Sequence, residues 1–169
     1  MAAESARRVV VGVTPRQPDA VVIAAADFAE QFDAELICAH VDRGRYTVDE
    51  APDGSVTSVP VDPDLADLRE QEFDPELHAR LASILDRRRI PWSTRALAGD
   101  PAHSLGRLAE TVQASMIVIG TRNASFRGTL QELFNGSVAV HLAHRQHRPV
   151  VVIPLSPVPF GKKLTWDPE

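Results

Sequence analysis

Short, continuously apolar runs alternate along this chain with apolar stripes at helical spacing, and few architectures accept that alternation. Arg8–Val13 is Val-rich, Glu35–Val41 reads ELICAHV, Met116–Ile119 reads MIVI and Pro149–Ile153 reads PVVVI. Runs of this length without polar alternation belong to strands covered on both faces. Pro18 and Asp19 open a helix running to about Phe32, with Val21, Ala25, Phe28, Ala29 and Phe32 on one side. Leu77, Leu81, Ile84 and Leu85 form a second stripe, and Leu105, Leu108, Ala109 and Val112 a third. Asp74-Pro75 and Asp100-Pro101 each set an N-cap acceptor before a first-turn proline. A strand near Trp92–Ala98 and a helix over Gly136–Arg145 complete five alternations. Right-handed crossovers then require an α/β fold, an open, doubly wound parallel sheet with helices on both faces. Val9–Val13, Ile117–Ile119 and Val150–Ile153 are expected to be nearly fully buried.

Two stretches stand outside this pattern. Residues 42–73 hold nine Asp or Glu, three Arg and three Pro. They read as an irregular, mobile acidic connection with one helical turn over 64–72. Its Thr47, Ser55, Thr57 and Ser58 leave two roles open, plain solvated chain or a partner-docking or phosphorylatable segment. Residues 155–169 hold three Pro and read as an extended surface tail. The expected organisation is one domain over 1–154, followed by that tail. A chain of 169 residues is long enough to bury a full core.

A net charge of −5 and a pI of about 5.7 argue against general attraction to nucleic acid or membrane surfaces. No apolar run reaches the roughly 18 residues of a spanning helix. The N-terminal apolar run breaks at Thr14-Pro15, too short for a secretory core of about 7–15 residues. The single cysteine, Cys38, allows no intramolecular disulfide and no Cys cluster for metal. A cytoplasmic protein is expected.

Glycine after a parallel strand, with Gly-Ser at the next helix start, is how α/β folds cradle phosphate. Gly120 closes one apolar run, and Asn135-Gly136-Ser137 opens the helix that follows. Met116–Pro154 resembles the signature of the universal stress protein family: glycine, two residues, glycine, nine residues, glycine, then Ser or Thr. Gly120, Gly136 and Ser137 match. Asn123 stands at the middle glycine, and 12 residues (124–135) stand where the family has nine. Val9–Val13, Ala39-His40-Val41 and Ala98-Gly99-Asp100-Pro101-Ala102 are similar to further family segments. Val138, His141, Pro149 and Val150 also sit where the family commonly has those residues. The resemblance spans roughly 7–154. It implies a five-stranded sheet of order 3-2-1-4-5, of the adenine nucleotide alpha hydrolase-like type, in a cytoplasmic stress-response or regulatory protein. It also implies a homodimer through the fifth strand, Pro149–Ile153, with Val151 a candidate to face the partner. Regulatory protein partners are expected; nucleic acid and membrane are not.

The resemblance further implies a crevice beyond the first and fourth strands for ATP or another adenine nucleotide, with Mg²⁺ if ATP binds. Val13 and Thr14 end the first strand. Nucleotide-binding members carry an acidic residue where Thr14 stands, and a threonine hydroxyl is a weaker, uncharged acceptor for a ribose. Val41 would offer its backbone to the adenine. Gly120, Gly136, Ser137 and Val138 would border phosphate, with Arg122 and Arg127 either pairing with it or standing in solvent. Asn123 tolerates left-handed angles but brings a side chain. The expectation is a modified pocket, binding ATP weakly or not at all, in a non-catalytic protein. The alternative is an enzyme hydrolysing or transferring from a nucleotide. Against it stand the lack of GxxxxGK[ST] and GxSxG motifs and the placement of both lysines, Lys162 and Lys163, in the tail. His141, His144 and His147 lack a nearby acidic or Cys ligand and read as a solvated helix end, not a metal site. His40 is expected to be a hydrogen-bonded core histidine and Cys38 an inert buried thiol. Arg87-Arg88-Arg89 is expected to end the second helix, where cations suit the dipole.

Overall fold

The computed structural model describes residues 7–62, 71–121, 137–155, 157 and 159–161. Along the chain lie β1 (Arg7–Gly12), α1 (Ala20–Gln31), β2 (Ala34–Asp42), β3 (Arg45–Glu50) and β4 (Val56–Pro60). There follow α2 (Pro75–Leu85), β5 (Trp92–Ala98), α3 (Pro101–Thr111), β6 (Met116–Gly120), α4 (Val138–Arg145) and β7 (Val150–Ile153). Five strands form one parallel sheet in the order β5-β2-β1-β6-β7. With the short hairpin β3–β4 set aside, this is the expected 3-2-1-4-5 order.

The pleat of β1 explains why helices cover both faces. Val9 and Val11 enter a core shared with Val21 and Ala25 of α1 and Leu77, Leu81 and Leu85 of α2. Val10, between them, enters the opposite core with Leu105 and Leu108 of α3 and Leu142 of α4. All three valines are fully buried, as are Ile117 and Val118 of β6. A slip of one residue would exchange the two faces, so the two cores jointly fix the register. Helix starts follow the sequence signals. The Asp74 carboxylate accepts from Leu77 N–H at 2.7 Å, and Asp100 accepts from His103 N–H at 2.9 Å.

Three expectations are corrected. Residues 45–60 of the acidic connection are not irregular: β3 and β4 pair antiparallel, with a bulge between Thr47 and Asp49. The cause is Pro52-Asp53-Gly54, a turn sequence with Gly54 at φ +79°. The hairpin is tied down by Glu50, which accepts from the Thr111 hydroxyl and, at 3.2 Å, from Arg107 of α3. Arg95 of β5 donates to the Asp53 carbonyl at 3.0 Å, fixing the hairpin beside the sheet. The helical turn over 64–72 lies mostly outside the described residues, as does most of the tail.

Second, α2 ends at Leu85, so Arg87, Arg88 and Arg89 lie beyond it. Arg88 instead bridges to α1, reaching Asp27 at 2.6 Å and Glu30 at 3.2 Å. Third, β7 is an edge strand and only half-covered. Val151 and Ile153 pack inward against the α1/α2 core, whereas Val152 is 41% exposed. Val152, not Val151, therefore presents the open face.

At Gly54 a Cβ would overlap Leu108 of α3 and sit 3.1 Å from Val112. Gly54→Ala should lower stability by about 2 kcal/mol, from left-handed backbone strain and overpacking combined. Urea denaturation checks this; an unchanged midpoint would show that the hairpin tip is not held against α3.

Candidate functional site

At the carboxyl ends of β1, β2 and β6 the chain leaves an open crevice of about 410 Å³. Doubly wound sheets place ligands here because the loops from neighbouring strands diverge to opposite faces. Its floor is apolar, formed by Val13, Ala39, Leu105 and Ile119. Gly12 and Gly120 keep the floor low. A Cβ on Gly120 would lie 2.8 Å from both Gln17 Nε2 and Val21 Cγ2.

The loop after β1 is fixed from three directions. Val13 N–H donates to the Ala39 carbonyl at 2.9 Å, carrying the β1–β2 pairing past the strand end. His40 Nδ1 lies 3.0 Å from the Val13 carbonyl. A carbonyl accepts only, so Nδ1 carries the proton. The hydrogen bond is the one expected of His40, but the ring is half-buried rather than in the core. Arg80 of α2 then clamps the loop, donating to Asp19 at 2.7 Å, to the Pro15 carbonyl at 2.9 Å and to the Gln17 carbonyl. On the far side, Thr121 N–H donates to the Ile153 carbonyl and the Thr121 hydroxyl accepts from Leu155 N–H, both at 2.9 Å.

Of the residues singled out from sequence, Val13, Thr14, Val41, Gly120 and Val138 line this crevice together. Ser137 is the N-cap of α4, adjacent to Val138, and its hydroxyl makes no capping bond. Arg122, Asn123 and Gly136, with Arg127, lie outside the described residues. Sequence reasoning missed Arg16, Gln17, Arg43 and Leu155, which also line the crevice. Arg16 and Arg43 each lie just past a buried strand's carboxyl end, a position that carries no pattern of its own.

No carboxylate borders the crevice among the described residues. Its residues therefore do not fit a protein-held Mg²⁺, which needs hard oxygen ligands. Nor does any group of three His, Cys, Asp or Glu among the described residues converge as a metal site. No described helix is long and apolar enough to cross a membrane.

A second cavity, of about 280 Å³, lies between the hairpin and α3, lined by Tyr46, Glu50, Asp100, His103 and Arg107 among others. Its charges are already matched. Arg107 pairs with Glu50 at 3.2 Å and Glu110 at 3.4 Å, and Asp100 caps α3. Glu50 is held below the usual carboxylate range by the Thr111 hydroxyl and then Arg107. Self-neutralised walls give a charged ligand little to replace.

A family model described as "Universal stress protein family" matches residues 5–154. The Bacillus subtilis "Stress response protein NhaX" is 28% identical, over 78% of this chain and 87% of that protein. A solved universal stress protein in complex with cAMP superposes with a TM-score of 0.58 at 23% identity, covering 90% of this chain and 100% of that one. The Archaeoglobus fulgidus universal stress protein in complex with dAMP gives 0.58 at 18% identity, covering 88% and 98%. At these identities the two structures establish a shared fold.

Cys38 precedes crevice-lining Ala39 but points into the α1/α2 core, fully buried. Burial raises its thiol to about 12, leaving almost no thiolate near neutral pH. A disulfide reagent at pH 8 should label the native protein negligibly and the urea-unfolded protein fully. Rapid labelling of the native protein would show that the β2 core opens readily.

Proposed function

Because the chain belongs to the universal stress protein family, we propose that the crevice beyond β1, β2 and β6 binds an adenine nucleotide. On this reading the chain is a non-catalytic, cytoplasmic stress-response regulator. The observation that carries it is the crevice itself, with an apolar floor, Gly120 at the β6 turn and, on one wall, the α4 N-terminus, whose N-cap Ser137 makes no side-chain capping bond. An apolar floor suits a purine, and open first-turn N–H groups suit phosphate. The Val41 backbone is available to read the adenine edge. Two structural neighbours hold cAMP and dAMP, ligands of the same class.

Thr14 weakens the grip on a ribose diol, so unmodified ATP is expected to bind weakly. Mg²⁺ accompanying ATP would be held by phosphate and water, since the described walls offer it no carboxylate. The described crevice also pairs no nucleophile with a base, which supports a binding role over hydrolysis. Residues 1–154 act as one domain on this reading.

The sheet's edges favour a homodimer through β7. At the β5 edge, Gln71 Nε2 donates to the Leu97 carbonyl at 2.8 Å and the hairpin lies alongside. The β7 edge has no such cover among the described residues and presents Val152. Open apolar edges pair with other chains, and a two-fold axis would set two β7 strands antiparallel. Other protein partners would read the nucleotide-dependent state of this assembly.

Calorimetric titration with AMP and ATP tests the binding site. Saturable binding is expected, and Gly120→Ala, which crowds Gln17 and Val21, should weaken it by about tenfold or more, some 1.4 kcal/mol, with circular dichroism unchanged. Equal binding in both proteins would place the nucleotide elsewhere, and release of hydrolysed product would favour an enzyme. Light scattering tests the assembly: Val152→Lys should convert a dimer to a monomer, and a monomeric wild type at micromolar concentration would refute the dimer.

A further inference from the structure

Gln17 lines the crevice with a side-chain amide that is held at one end and open at the other. Its backbone is fixed first. Gln17 N–H donates to the Thr14 carbonyl at 3.1 Å, and the Arg80 guanidinium donates to the Gln17 carbonyl. The side chain then turns back within the same loop, where Oε1 accepts from Thr14 N–H at 3.3 Å. A backbone N–H only donates, so the amide atom facing it is the oxygen, and the orientation of the amide follows.

The NH₂ group lies instead against Gly120, where a Cβ would come within 2.8 Å of Nε2. The amide reaches this position only because the last residue of β6 has no side chain. Among the described residues Nε2 has no hydrogen-bond partner, and none of their buried side-chain nitrogens is left unpaired, so Nε2 is open to water. Gln17 and Gly120 both line the crevice, which therefore contains an unused N–H donor beside the β6 turn. A side chain already tied by Thr14 loses little freedom when it meets a ligand.

Resting on the adenine-nucleotide reading above, we propose that Gln17 is a ligand-binding residue whose amide donates to the nucleotide's 5′-phosphate beside Gly120. On that reading Gly120 and the first turn of α4 border the phosphate, and Gly120 is the residue that Nε2 abuts. The free end of the amide offers donors alone, and an ionised phosphate oxygen accepts alone. Such a bond is roughly twice as strong as one between neutral groups. Thr14 takes part through its backbone, since its N–H holds the amide in the donating orientation.

Calorimetry on the full chain compares AMP with adenosine, which differ only in the phosphate. The wild type should bind AMP more tightly. Gln17→Glu keeps the shape and an oxygen for Thr14 N–H, but sets a carboxylate where the donor stood. It should weaken AMP by about tenfold or more and leave adenosine essentially unchanged. Gln17→Met removes the donor without adding charge; it should weaken AMP less than the glutamate does, again sparing adenosine, and it serves alone if circular dichroism shows that the charge disturbs folding. An equal loss of both ligands would mean that Gln17 only shapes the loop, and would overturn the inference. AMP binding that neither variant changes, or wild-type binding of adenosine as tight as that of AMP, would also overturn it while the nucleotide reading stands. If the wild type binds neither ligand, both fall together.

Discussion

Burial of the centres of β1 and β6 on both faces is the constraint from which the rest follows. Strands without an exposed face must have every backbone group paired and both faces covered. β1 meets this by pairing with β2 on one side and β6 on the other, in parallel register. Parallel pairing demands crossovers, and the crossover helices supply the two cores. The loops leaving β1 and β6 must then diverge to opposite faces, which opens the crevice between them. The site is thus a consequence of how two apolar strands are desolvated.

Electrostatics then differentiates the crevice at the strand ends from the cavity under the hairpin. Under the hairpin, Glu50, Arg107 and Glu110 satisfy one another. At the strand ends, Arg80 pairs with Asp19 and fixes the β1–α1 loop in the same stroke. One arginine from α2 therefore shapes the crevice wall, which Arg16 lines without an ion pair among the described residues.

The parallel sheet and its helix starts were legible because they rest on signals that burial enforces: unbroken valine runs, Leu stripes and Asp-Pro caps; the strand order came from the family resemblance. Five of the six described residues singled out for the crevice line it: Val13, Thr14, Val41 and Gly120 stand at strand ends, which are easy to locate, and Val138 opens α4. The hairpin was missed because its charged residues masked Tyr46, Val48, Val56 and Val59, although Pro52-Asp53-Gly54 marked its turn. Its pairing partners on α3 and β5 lie far along the chain and leave no local trace. Arg16 and Arg43 were missed because a lone arginine in a loop has no pattern; only the fold shows that both line the crevice. The half-open state of β7 follows from edge position, which apolar composition alone does not encode.

Hydrogen–deuterium exchange of the full chain with and without saturating AMP tests the central claim most directly. Protection should appear in peptides covering 13–17, 41–43, 120–121 and 137–140, the rim of the crevice beyond β1, β2 and β6. Peptides covering 46–56 and 103–108, around the hairpin cavity, should exchange as before. Protection confined to the hairpin cavity, or none at the strand ends under saturation, would contradict the account.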